Sequence, residues 1–302
     1  MRRRIGVAGA GAWGKALAHI AKLAGHDVRM WSRGESIHAL AESDAIIVAV
    51  PAQAVRAVLE TLKPVLGKSL PLIISAKGIE QSTGLFMNEV VAQVTPDARA
   101  MVLSGPSFAA DVMGGLPTAV VLAAGTLAEA GEWAEALTVT SFRIYNSDDV
   151  LGVEIGGALK NVLAIACGIS DGRGLGDSAR AALTTRGFAE LTRFGQRLGA
   201  RPETLMGLSG LGDLLLTCSS KQSRNYAFGF AIGGGASVAD ALANARGVVE
   251  GAYTVKIAHE LARKHGVDMP IVDGVHAIVD SQAEPRDVIA KLLARPVGRE
   301  IR

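Results

Sequence analysis

"RIGVAGAGAWGKALAHIAKLAGHDVRMWSR", Arg4 to Arg33, decides how the rest of the chain is read. A short apolar run, Ile5 to Ala8, leads into Gly9-Ala10-Gly11-Ala12-Trp13-Gly14, then an Ala-rich segment of helical spacing, then a second run, Val28 to Trp31. Three glycines at this spacing match by chance in a chain with 36 of them. Directly after a strand and at the opening of a helix, they read as a dinucleotide-binding turn. Gly9 permits the tight turn, Gly11 lets the backbone approach a pyrophosphate, and Gly14 lets the helix pack closely on the strand. The first N–H groups of that helix face the phosphates with partial positive charge.

The same alternation of short β-branched runs and helical segments continues to about Asp148, with further strands expected at Ala45–Val50, Leu72–Ser75, Met101–Leu103, Ala119–Leu122 and Phe142–Tyr145. That order predicts an α/β fold, a Rossmann-type doubly wound parallel sheet. After Asp149 the strand signal stops, and helical patterning broken by glycine-rich loops runs on to a last helix opened by Glu284-Pro285. Two domains are expected: a dinucleotide-binding domain over 1–150 and an all-α substrate and catalytic domain over 151–302.

With 302 residues, 20% of them charged, and a formal net charge of +2, no overall field points to nucleic acid or an anionic membrane. A few local cations can still hold a small anion. The apolar residues after Arg2, Arg3 and Arg4 form no uncharged run long enough for a signal or a membrane span, so a soluble, cytoplasmic protein is expected. Cys167 and Cys218 lie in apolar stretches and read as buried reduced thiols. The six histidines show no metal-like spacing, and no metal site is expected. A homodimer fits a helical domain of this kind, since exposed apolar helical faces commonly pair.

Where NAD-preferring sites place a carboxylate, after the second strand, this chain has Ser32 and Arg33. A guanidinium matches a 2′-phosphate, so NADP(H) is favoured over NAD(H). Glu35 is the counterweight: turned inward, it could accept a ribose hydroxyl, which keeps NAD(H) open. Between Arg33 and "AIIVAVP" only "GESIHALAESD" remains, at the lower limit for a crossover between parallel strands. Either the sheet has lost a unit beside the adenosine pocket or the sequence omits a segment there.

"VEIGGALKNVLAIACGI", Val153 to Ile169, carries Lys160 among small and apolar residues. Glu154 lies six steps back, about 120° round the helix, so the two cannot pair on one face; Asn161 shares the glutamate's side. An ammonium partly buried without a local counter-ion has a lowered pKa, suited to passing a proton near neutral pH. Snorkelling to solvent is the ordinary alternative. Lys77 ends "LPLIISAKG" and should emerge at the carboxyl edge of the sheet, with "SGPS", Ser104 to Ser107, beside it. Asp213 follows the glycine-rich turn of "GLSGLGD", where it either caps a helix or orients the lysine. Ser223, Arg224 and Asn225 precede a helical segment, as a phosphate clamp would.

Taken in order, "VAGAGAWGKALA", "AVPAQAVRAVL", "ISAKGIE", "LSGPSFAADV", the long block from Glu154 to Ala200, "GLSGLGDLLLTC", "SRNYAFG" and "VVEGAYT" resemble the successive blocks of the bacterial glycerol-3-phosphate dehydrogenases [NAD(P)+] across nearly the whole chain. The resemblance implies reversible reduction of dihydroxyacetone phosphate to sn-glycerol 3-phosphate for phospholipid synthesis. It implies Lys160 as general acid/base, with Lys77 and Asp213 as polar active-site partners. Gly105, Ser107, Ser223, Arg224 and Asn225 match substrate-binding positions. Gly9, Gly11, Ala12, Trp13, Gly14, Arg33, Lys77, Ala109, Arg224, Val248 and Glu250 match cofactor positions. Ala12 departs from the family's usual serine, which matters little because the backbone N–H meets the phosphate. The nearest alternative, a β-hydroxyacid dehydrogenase or ketoacid reductase, would need a site for a carboxylate instead of a phosphate. A nucleotide-responsive binding module without turnover is a further alternative, suggested by the shortened adenosine side and opposed by intact Lys77, Lys160 and Asp213.

Overall fold

The computed structural model describes residues 1 to 296, so the last six positions of the expected second domain lie outside the described residues. Seven strands form one sheet: β1 (Arg4–Ala8), β2 (Asp27–Trp31), β3 (Ala45–Val48), β4 (Pro71–Ile74), β5 (Arg99–Ser104), β6 (Thr118–Ala123) and β7 (Phe142–Ser147), in the order β2-β1-β3-β4-β5-β6-β7. Interleaved with them are α1 (Ala12–Leu23), α2 (Val55–Leu62), α3 (Met87–Val94), α4 (Ala109–Met113) and α5 (Leu127–Leu137). Only helices follow among the described residues: α6 (Val150–Gly172), α7 (Asp177–Leu198), α8 (Pro202–Met206), α9 (Asp213–Ser219), α10 (Arg224–Gly233), α11 (Val238–Ala243), α12 (Glu250–Lys264), α13 (Pro270–Val279) and α14 (Pro285–Leu293).

The central strands are buried on both faces, which is why they read as unbroken apolar runs. Alternate residues divide between two cores. Ile5, Val7 and Ile47 pack with Leu17, Ile20 and Trp133 on one face, while Ala8, Ile46 and Val48 pack with Leu59, Val90 and Val91 on the other.

All strand pairs are parallel except β5 with β6, which is antiparallel and departs from the fully parallel sheet expected. After Ser104 the chain makes only the five-residue α4 before β6. It turns back at the same edge of the sheet, and an antiparallel neighbour needs no crossover. From β2 to β3, by contrast, the chain must cross β1 to form a parallel neighbour, and it does so with one 3-10 turn, Ile37–Leu40. The crossover lies flat because β1 carries Gly6: a Cβ there would stand 2.9 Å from Ser43 Oγ and 3.1 Å from Leu40 Cδ2. β2 is left as the edge of the sheet.

α6 is buried on every side from Gly152 to Ser170 and forms the axis of the helical part. By length and apolar character it is the one helix among the described residues that could span a membrane, but 89% of its apolar window is buried inside the protein, as for a core helix. Its glycines let α10 touch it backbone to backbone. A Cβ on Gly168 would sit 2.1 Å from Tyr226 O, and one on Gly229 would sit 2.1 Å from Ile165 O. Cys167 and Cys218 are free and buried, as expected.

Candidate active site

The site begins with the most buried carboxylate among the described residues. Asp213 opens α9 after a wide π-type turn, Leu208–Gly212, and is 1% exposed. Its two oxygens are divided between two lysines from different parts of the chain. Lys160 Nζ donates to Oδ1 at 2.6 Å, and Lys77 Nζ donates to Oδ2 at 2.7 Å. Lys77 reaches in from just beyond β4 and also donates to Gly105 O at 2.9 Å, beyond the end of β5. Ser107 Oγ donates to the same carbonyl at 3.1 Å. Lys160, 7% exposed, makes a second bond to Thr217 Oγ1 at 2.9 Å, and that hydroxyl lies 3.2 Å from Asp213 Oδ1.

Burial pushes the Lys160 ammonium down to about 8, and the positive charge of Lys77 adds to the shift, against the opposing pull of Asp213. Burial alone would raise the Asp213 carboxyl, but the charges of Lys160 and Lys77 prevail and hold it below the ordinary carboxylate value. The cluster is therefore one anion between two cations, with Lys160 set for proton transfer close to neutral pH. The lysine is not unpartnered: no counter-ion lies on its own helix, but one arrives 53 residues later in sequence.

A second network starts one residue on. Asn161 Nδ2 donates to Lys77 O at 3.1 Å, and its Oδ1 accepts from Asn225 Nδ2 at 2.8 Å. Asn225 Oδ1 in turn accepts the Gly251 N–H at 2.9 Å. Ser223 Oγ caps α10 by accepting the Tyr226 N–H at 3.2 Å, and exposed Arg224 begins that helix. Glu154, on the same side of α6 as Asn161, accepts the Asn88 N–H at 2.8 Å at the start of α3, so this side of α6 meets the sheet domain. Glu250 joins the domains too: Oε1 accepts the Ala52 N–H at 3.1 Å, and burial raises its carboxyl to about 7.

On the sheet side, the glycine turn has the shape a pyrophosphate requires. Gly9 has φ +117°, and a Cβ on Gly14 would lie 1.9 Å from Gly9 O. A Cβ on Gly11 would meet nothing within 4 Å, and α1 has no side-chain cap, so the space before its first N–H groups is open. The residues present fit a dinucleotide. Ala12 is exposed, Trp13 packs partly on the core, and Ala109 begins α4, which packs against α1. Val248 is half-buried just before Glu250. Arg33 stands exposed beyond the tip of β2, with no bond to the lysine cluster among the described residues.

Lys77, Gly105, Ser107, Lys160 and Asp213 thus join in one hydrogen-bonded group, and Asn225 is tied to it through Asn161. Thr217 and Asn161 were not singled out from sequence as site residues. Thr217 sits four residues after Asp213 on α9, a spacing that places both on one helical face and could have identified it. A cavity of about 910 Å³ elsewhere, between α6, α7, α13 and α14, contains none of these groups.

Comparison with known proteins agrees with this layout. The family model for the NAD-dependent glycerol-3-phosphate dehydrogenase C-terminus matches residues 149–290, and that for the N-terminus matches 4–38 and 35–130. Glycerol-3-phosphate dehydrogenase [NAD(P)+] of Parvibaculum lavamentivorans is 48% identical over 327 positions, covering 99% of this chain and 98% of the relative. That of Beijerinckia indica is 50% identical over 329 positions, again covering 99% and 98%. Both alignments are longer than this chain, so the relatives carry residues it lacks, and the N-terminal family model matches in two pieces that overlap at 35–38, in the short β2–β3 join. A crystal structure of glycerol-3-phosphate dehydrogenase from Coxiella burnetii superposes with a TM-score of 0.92 at 36% identity, covering 97% of this chain and 99% of that one. The chain belongs to the NAD-dependent glycerol-3-phosphate dehydrogenase family.

Proposed function

We propose that the chain catalyses the reversible, NAD(P)(H)-dependent reduction of dihydroxyacetone phosphate to sn-glycerol 3-phosphate, with residues 1–150 holding the cofactor and 151–302 the catalytic lysine. The observation that carries this reading is Asp213 bridging Lys160 and Lys77, one cation from each part of the chain. When bound, the nicotinamide supplies or accepts the hydride at C2 of the substrate. Lys160 as ammonium stabilises the negative charge growing on the C2 oxygen and delivers a proton to it; in the reverse direction its neutral amine removes that proton. Asp213 holds the lysine in place, and Thr217 fixes its direction. Lys77 adds a second positive charge beside the same oxygen.

Ser223, Arg224 and Asn225 at the start of α10 suit the substrate phosphate, with helix N–H groups, a guanidinium and the one amide hydrogen that Asn225 keeps after its bond to Asn161. Gly105 and Ser107 border the same cluster. Gly9, Gly11, Ala12, Trp13 and Gly14 suit the pyrophosphate, and Ala109, Val248 and Glu250 complete the cofactor wall. Arg33 at the tip of β2 favours NADPH over NADH by pairing with the 2′-phosphate. The reaction is assigned to the cytoplasm, where the two buried thiols stay reduced.

The test is steady-state NADPH oxidation with dihydroxyacetone phosphate set against small oxo acids. Turnover of the triose phosphate is expected; turnover of oxo acids alone would replace the reading with a ketoacid reductase.

A further inference from the structure

Beyond β2 the chain closes a tight turn. Glu35 N–H donates to Ser32 O at 3.1 Å, Gly34 takes φ +94°, and Trp31 Nε1 donates to Glu35 O at 3.0 Å. The Glu35 carboxylate folds back within this turn and accepts the Ser32 N–H at 2.7 Å. That amide is the first after the strand, at the point from which this architecture addresses the adenosine ribose. The turn has little freedom. Trp31 is buried below it, and the 3-10 turn that follows is anchored by fully buried Leu40.

We propose that Glu35 is a specificity-determining residue: its carboxylate occupies the anion position a cofactor 2′-phosphate would take, and so holds down the preference for NADPH that Arg33 creates. This rests on the reading of Arg33 given above. A 2′-phosphate brings close to two negative charges and, to reach the Ser32 N–H and the Arg33 guanidinium together, must displace the carboxylate. The ribose hydroxyl of NADH carries no charge and can donate to that carboxylate where it lies. The two cofactors therefore meet the same side chain with opposite consequences. The shortened join matters because it ties Glu35 within two residues of the crossover turn, at the exposed edge of the sheet.

The experiment is calorimetric titration of the parent chain, Glu35→Gln, Glu35→Asp and Arg33→Ala with NADPH, NADH, and ADP-ribose with or without a 2′-phosphate. For an exposed carboxylate, Glu35→Gln is expected to tighten both 2′-phosphorylated ligands about three- to fivefold at low salt, with the gain shrinking at high salt. NADH and plain ADP-ribose should move by less than about twofold. Glu35→Asp, which keeps the charge, should stay near the parent. An unchanged NADPH-to-NADH affinity ratio in Glu35→Gln would overturn the proposal, as would an equal gain in Glu35→Asp, since that points to a loosened turn instead of a removed charge. A ratio that does not fall in Arg33→Ala overturns the reading of Arg33 separately, through a different variant.

Discussion

The lysine cluster and the tip of β2 both handle charge, and they are built in opposite ways. At the cluster, a buried carboxylate, a buried ammonium and a second, partly buried one are tied by bonds of 2.6 to 2.9 Å from four separate stretches of chain. At the β2 tip, Arg33 and Glu35 are exposed, and every bond that shapes the turn joins residues no more than four apart. Buried charges interact strongly and shift one another's proton affinity, whereas exposed ones are screened and act weakly. The difference teaches that, on the proposed assignment, the chemistry lies where a substitution is drastic and the choice of cofactor where a substitution is cheap.

If the contrast holds, Lys160→Ala should lower turnover about a thousandfold while NADPH affinity stays nearly unchanged. A variant with parent-like turnover would remove the proton transfer from Lys160. Asp213→Ala leaves two cations without their shared anion, so denaturant unfolding should report a loss of about 3 kcal/mol. A loss no larger than that of an ordinary surface substitution would mean that the cluster contributes little to folding. Because burial has brought Lys160 down to about 8, reduction, which needs the ammonium, should slow as pH rises through that value, and oxidation, which needs the amine, should quicken. Profiles flat between about pH 7 and about pH 9 in both directions would place the titrating group elsewhere.

Arg33→Ala should weaken NADPH about tenfold and NADH hardly at all, because it removes one exposed charge-assisted contact. Equal losses for both cofactors would show that the 2′-phosphate is read elsewhere. A separate effect, on stability alone, is expected far from both regions. Glu190 accepts the N–H groups of Ile271 and Val272 at the start of α13, and burial raises its carboxyl from 4.5 to about 7. A folded-state value above the unfolded one contributes stability that is complete at low pH and lost as pH rises through about 7. Glu190→Gln should flatten that decline, by at most about 3 kcal/mol across the window in melting experiments.

Much of this was legible in advance, for local reasons. All seven strands appear where short β-branched or apolar runs stand, and the signal is cleanest in central strands such as β3 and β4, which are buried on both faces and so apolar throughout, whereas the edge strands β2 and β7 are partly polar. The glycine turn follows from backbone sterics at Gly9 and Gly14. Lys77 emerges at the carboxyl edge because its run is short and ends in a turn. The β5–β6 reversal was not legible: direction in a sheet depends on which neighbour a strand finds, and the connecting stretch allows either. Thr217 carries no signal of its own, because a threonine inside a helix is ordinary until the lysine it faces is known.

By itself, then, the order of residues determined the alternating elements, the helical second half, the glycine turn between β1 and α1 and the presence of a lysine inside an apolar helix. Each depends on contacts within a few residues, or on a periodicity repeated along one element. Only the tertiary structure decided that this lysine shares a carboxylate with Lys77, that Asn161 and Asn225 link the two parts, and that Glu35 turns back onto the strand end. Side chains far apart in sequence meet only where packing brings their backbones together, and the direction of an exposed carboxylate depends on the amide it finds.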